Sequence, residues 1–208
     1  MGVGTGPPCG IRDYSLLYPE RMPRPARFTL DELLDAAAAL LAADGPAAVT
    51  MSAVARAAHA PSGSMYHRFP SRAALCGELW IRTEERFLAG LSDALATSEE
   101  PQTRCVAAAR FTVQWCRDHP LEAQVLLTGA DALGVADWPD ELTRRRKRLH
   151  RALRRTLAGM PADPDRVNAA VIDIPYAVVR RHLIARQAIP ASADAIVGQC
   201  ARALIPAS

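Results

Sequence analysis

Chemistry needs reactive side chains at a working spacing, and this chain offers few such sets. Its five cysteines, Cys9, Cys76, Cys105, Cys116 and Cys200, are odd in number and scattered, with no C-x-x-C pair and no histidine at metal-ligand spacing. They read as isolated thiols of a reducing compartment, with Cys116, followed by Arg117, as the candidate redox-sensing thiol. No metal and no cofactor is expected. No Ser/His/Asp set, carboxylate pair or glycine-rich phosphate loop stands out, so no catalytic residue is named. One crowded set remains: Ser62, Gly63, Ser64, Tyr66, His67 and Arg68, where small hydroxyls, an aromatic with a polar tip and bases share a short stretch. Such groups meet phosphates and base edges in a DNA major groove.

The stretch that must position them is "TMSAVARAAHAPSGSMYHRFPSRAAL", Thr50 to Leu75. Thr50 caps a helix whose inner face is Met51, Val54, Ala55 and Ala58. After the break at "HAP" a helix of about two turns sends Met65 and Phe69 inward, which leaves the crowded set outside. Ser71 then caps a long helix through Leu75, Leu79, Arg82 and Leu88. A preceding helix opens on the capping box "TLDE", Thr29 to Glu32, carries Leu30, Leu33, Leu34, Ala37, Leu40 and Leu41 on one stripe, and stops at Asp44-Gly45-Pro46. Two helices joined by a tight turn, the second short and exposed, make a helix-turn-helix, and the small Ala55 lets them cross closely.

Residues 1–26 lack periodicity and cannot bury enough to offset their ordering entropy, so disorder is expected, with Met22 as a plausible natural start. Beyond Thr97 the pattern stays helical: Pro101 to His119, Pro120 to about Thr128, Pro139 to Ala158, Asp163 or Pro164 to about Gln187 with a bend at Pro175, and Ser192 to Leu204. The expected fold is all-α, with about nine helices. Half of the 208 residues are hydrophobic, yet no run approaches the ~18 apolar residues of a membrane span. Formal net charge is only +3, so placement of charge must carry any nucleic-acid binding. The loudest basic run, "RRRKRLHRALRR" from Arg144 to Arg155, shares its helix with the stripe Leu142, Leu149, Leu153 and Leu157, and reads as a solvated face.

From Phe28 to Leu75 the sequence resembles the N-terminal domain of tetracycline-repressor (TetR) family transcriptional regulators. The most specific part is "SGSMYHRFPSRAAL", supported by Val54-Ala55 and Ala57-Ala58 upstream. The resemblance implies DNA binding by the first three helices, with a recognition helix from about Ser62 to Phe69. It implies contacts by Thr50, Ser62, Gly63, Ser64, Tyr66, His67 and Arg68, a phosphate contact by Arg72, and an arm carrying Arg24 and Arg27 that reaches the minor groove. Two departures stand out. His59 occupies a turn position where the family usually has Gly and where φ is expected to be positive. Pro61 replaces the usual Ser cap, so either Ser62 caps instead or Pro61 enters the first turn.

By the same resemblance, residues 27–75 form the DNA-binding domain and residues 76–208 a ligand-binding and dimerisation domain. The last two long helices are the expected homodimer interface, with Val167, Ala170, Val171, Ile174, Val178, Ile196, Val197 and Leu204 supplying apolar surface to a four-helix bundle. Pocket candidates are Phe111, Gln114, Trp115, Leu126, Trp138 and Tyr176, aromatics with a few polar groups. His119, before Pro120, reads as a helix-end cation. The expected function is a cytoplasmic, sequence-specific regulator, a repressor released from a palindromic operator by a small molecule. The alternatives are a DNA-binding regulator without ligand control and an enzyme using the C-terminal cavity.

Overall fold

A computed structural model describes residues 1–2 and 28–207. The expectations for the 1–26 extension, a start at Met22, the arm residues Arg24 and Arg27, and Cys9 lie outside the described residues. Within them every regular element is helical. In chain order these are α1 (Leu30–Asp44), α2 (Met51–Ala57), α3 (Ser62–Arg68), α4 (Arg72–Leu95), α5 (Pro101–Asp118), α6 (Pro120–Thr128), α7 (Asp140–Ala158), α8 (Pro164–Asn168), α9 (Ile174–Ile184) and α10 (Ser192–Leu204). A π turn, Ala169–Asp173, joins α8 to α9, so these run as one rod and the described residues form nine rods, as the periodicity predicts.

The boundaries follow local chemistry. The Thr29 N–H donates to Glu32 Oε2 at 2.7 Å while the Glu32 N–H donates to Thr29 Oγ1 at 3.2 Å, closing the capping box. Those bonds hold the Glu32 carboxyl below its ordinary range. Thr50 and Ser71 accept from the N–H groups of Ala53 and Ala74, each at 3.1 Å. The π turn has a cause in Pro175, which has no N–H and whose ring would collide with the carbonyl four residues back; widening the helix immediately before it absorbs both defects.

Two buried cores result. One is built by α1–α3, the first half of α4 and the stretch from Val125 to Leu142; the other by the end of α4 with α5, Ala123 of α6, the end of α7, α8, the π turn, α9 and α10. The 24-residue α4 runs through both, about 36 Å long at 1.5 Å per residue. Its close approach to α7 depends on Gly77: a Cβ there would lie 2.7 Å from Leu142 Cδ1 and 3.1 Å from Trp138 Cγ. At Gly90 the Phe111 ring takes the space of the missing side chain.

The basic run of α7 is not wholly solvated. Arg145 donates to Glu78 at 3.0 Å and to Glu85 at 2.8 Å, His150 pairs with Glu84 at 2.8 Å, and the Arg146 guanidinium lies 5.7 Å from the Trp80 ring centroid. Part of the run is thus the polar seam between α7 and α4; Lys147, Arg151, Arg154 and Arg155 stay exposed.

Candidate nucleic-acid interface and effector cavity

The helix-turn-helix is set by its turn. Ala60 N–H donates to the Ala55 carbonyl at 2.8 Å and His59 N–H to that of Arg56 at 3.1 Å, the pattern of a Schellman stop to α2. The residue in the left-handed place of that motif is His59, with φ 52°, where a side chain is tolerated with strain. Pro61 is the N-cap of α3 and makes no side-chain cap bond, so neither expected alternative holds: Ser62 is the first helical residue and does not cap.

Met65 and Phe69 are buried, 0% and 1% exposed, and pin α3 to α1 and α2. Everything else on α3, namely Ser62, Gly63, Ser64, Tyr66, His67 and Arg68, is exposed, with Tyr66 at 65%. The face so formed holds no carboxylate. Thr50 keeps its hydroxyl on the Ala53 N–H, at the edge of the same surface. Arg72 is exposed, but its guanidinium already serves the fold: Nε donates to the Val49 carbonyl at 2.8 Å and Nη2 to that of Pro46 at 2.6 Å, tying the α1–α2 connection to the start of α4.

In the second core a cavity of about 140 Å³ lies between α4, α5, α6, the π turn and α9. Three of the six pocket candidates, Trp115, Leu126 and Tyr176, line it, with Phe87, Thr112, Cys116, Ala123, Leu127, Val171, Ile172, Val179 and Leu183, which the sequence reading did not name. The other three lie elsewhere. Phe111 packs on Gly90 and on Phe87, at 5.8 Å between centroids. Gln114 is exposed and donates to Asp118. Trp138 is buried in the first core, its Nε1–H donating to the Leu133 carbonyl at 3.0 Å. Cys116 is no exposed sensor: it is buried in the cavity wall, where desolvation pushes its thiol up to about 12, and Arg117 turns away to the Ile189 and Pro190 carbonyls and Asp194. His119 ends α5 and pairs with Glu122 at 3.2 Å.

Ion pairs connect the cavity wall to α1. Arg86 on α4 reaches Glu122 at 2.8 Å and Asp31 of α1 at 2.9 Å, and its pKa is raised, chiefly by the bond to Glu122. Glu122 immediately precedes Ala123 of the wall. The buried Arg82 pairs with Asp35 at 2.8 Å and Asp31 at 3.0 Å, yet its Nε and Nη2 have no partner. From the far side, Arg186 donates to the carbonyls of Ala42 and Ala43 at the end of α1.

The expected dimer residues divide. Val167, Ala170, Val171 and Val197 are at most 1% exposed, committed to their own chain's core, so they form no intersubunit surface. Ile196 is exposed, and Ile174, Val178 and Leu204 are half-buried. The exposed sides of α9 and α10 instead carry Ala177, Ile184, Ala195, Ile196 and Ala203.

A short exposed helix presented by a helix-turn-helix on an all-helical body is the arrangement of a helix-turn-helix DNA-binding module. Residues 33–79 match the sequence model of the bacterial regulatory proteins of the tetR family. No curated protein matches it. Among solved structures it resembles FadR from Bacillus subtilis, a transcriptional regulator in complex with stearoyl-CoA, at 13% identity and TM-score 0.65, over 86% of this chain and 98% of that one. A TetR family regulator from Marinobacter aquaeolei VT8 matches at 14% identity and TM-score 0.67, over 86% and 95%. The ketosteroid regulator KstR2 of Mycobacterium tuberculosis matches at 20% and 0.60, over 86% and 94%.

Proposed function

We propose that the protein is a cytoplasmic homodimeric repressor that holds a palindromic operator with two copies of α3 and lets go when a small molecule enters the cavity. The observation that carries this reading is the α3 face, a short helix whose two anchors are buried while every hydroxyl, ring and base points outward. Residues 27–75 would be the reading domain and 76–208 the effector and dimerisation domain. Gly63 and Ser64 would lie deepest in the groove, Tyr66, His67 and Arg68 on bases or phosphates, and Thr50 and Ser62 at the backbone. Arg24 and Arg27 would follow the minor groove. Arg72 would act mainly by fixing the α1–α2 connection, with a phosphate as a further acceptor.

Five arginines from Arg24 to Arg72 face four acids, Asp31, Glu32, Asp35 and Asp44, so binding relies on placement and on doubling in the dimer. Affinity falls steeply with salt as counterions are released. The exposed alanines and isoleucines of α9 and α10 would pair across the two-fold. A ligand that shifts α6 would pull on Glu122, hence on Arg86 and α1, and change the separation of the reading helices. FadR in complex with stearoyl-CoA and the ketosteroid regulator KstR2 support an effector for this fold. The test is selection of random duplex DNA by the full chain at physiological salt. An inverted repeat with half-site centres about 34 Å apart, or a multiple, is expected; binding without enrichment contradicts the reading.

A further inference from the structure

We propose that the cavity takes an uncharged, predominantly apolar molecule of about one ring, and rejects carboxylates, phosphates and coenzyme A thioesters. This rests on the cavity being the effector site. Size is the first argument: the space is about 140 Å³, and an apolar cavity of about 150 Å³ stays dry and binds benzene. Wall chemistry is the second. No lining residue carries a charge, and only Thr112, Trp115, Cys116 and Tyr176 carry a polar side-chain atom, that of Trp115 being a lone indole N–H donor. The Thr112 hydroxyl already donates to the Ala108 carbonyl at 3.3 Å. The buried polar side-chain atoms left without partners among the described residues belong to Trp80, Arg82, Glu84 and Arg146, none of which lines the cavity. Nothing in the wall calls for a charged guest.

Two charged residues beside the wall, Arg117 and Glu122, are also committed, and no charged side chain enters the lining itself. Arg117 is held by two carbonyls and Asp194, and Glu122 by Arg86 and His119. A carboxylate in the cavity would therefore be desolvated without a counter-charge. Shape is the third argument. Phe87 and Trp115 meet edge to face at 5.1 Å and 71°, an arrangement that a flat ring extends readily. Tyr176, 48% exposed, is the most exposed lining residue, so the neutral polar groups the site can serve are a hydroxyl at that rim and an uncharged acceptor for the Trp115 indole N–H.

The experiment titrates the full chain with toluene, phenol, benzoate and octanoyl-CoA, reading Trp fluorescence and thermal unfolding, in the parent and in Ala123→Leu, which fills the cavity. Leu127→Phe serves as a second filled variant should the first fail to fold. Toluene and phenol are expected to bind and raise the unfolding temperature, with benzoate about 100-fold weaker, and each filled variant should lose toluene binding at least about tenfold. Benzoate or octanoyl-CoA binding as tightly as toluene overturns the proposal. So does toluene binding unchanged in a filled variant, or no binding of either neutral ring. DNA affinity measured alongside separates the two readings. Toluene that binds without releasing DNA upholds the ligand class and overturns the effector role; an acid that releases DNA does the reverse.

Discussion

At the scale of single residues, His59 carries a local cost that the fold accepts. A non-glycine residue at φ 52° costs on the order of 1 kcal/mol, and the Schellman bonds of Ala60 and His59 hold it there. His59→Gly is therefore expected to raise stability by about 1 kcal/mol in denaturant unfolding, with α3 unmoved; a loss of that size would show that the imidazole makes a compensating contact. This position was legible in the sequence, because turn chemistry is local and the family's Gly marks the place where φ turns positive. The buried pair Met65 and Phe69 was legible for the same reason, the short helix having one face to bury. Arg72 was not. Its spacing gives a cation at the start of α4, but the Pro46 and Val49 carbonyls that take it up are more than twenty residues away. Cys116 shows the same limit: the adjacent Arg117 suggests an activated thiol, whereas helical geometry sends the two side chains in different directions.

Individual helices were set by caps and prolines, so their boundaries were readable to within about three residues, the largest difference being the end of α9 at Ile184 rather than Gln187; what each helix packs against was not. An apolar stripe says that a face is buried, without naming the partner. Val167, Val171 and Val197 have the periodicity of an intersubunit seam and are spent inside the monomer. Trp138 and Trp115 look alike in sequence, yet Gly77 admits Trp138 to the α4–α7 seam while Trp115 stands on the cavity wall. Gly77→Ala is expected to cost about 1–3 kcal/mol by pushing Leu142 and Trp138 apart from α4. Thermal unfolding checks this, and an unchanged midpoint would mean that the seam yields freely. The basic helix α7 gives a parallel lesson, since its arginines answer Glu78, Glu84 and Glu85 on a neighbouring helix as well as water.

For the whole molecule, the two cores and the long α4 that joins them make the helix-turn-helix and the cavity parts of one packed body. Ion pairs from Glu122 through Arg86 to Asp31, and the bonds of Arg186 to the end of α1, cross between them. In the proposed dimer the exposed sides of α9 and α10 meet, and Ile184 and Ile196 lie at the contact. Ile184→Glu with Ile196→Glu is expected to give monomers by sedimentation velocity at micromolar concentration, with operator affinity lowered at least about 100-fold through loss of the second half-site; an intact dimer would place the interface elsewhere. The central claim concerns the outward face of α3, and one measurement tests it most directly: the affinity of Ser64→Ala/Tyr66→Ala for the duplex selected by the parent chain, with dimerisation followed in the same samples. The account predicts a loss of about 10- to 100-fold at unchanged dimerisation, the sum of two contacts of roughly 1 kcal/mol or more each. Parent-like affinity in the double variant would contradict it.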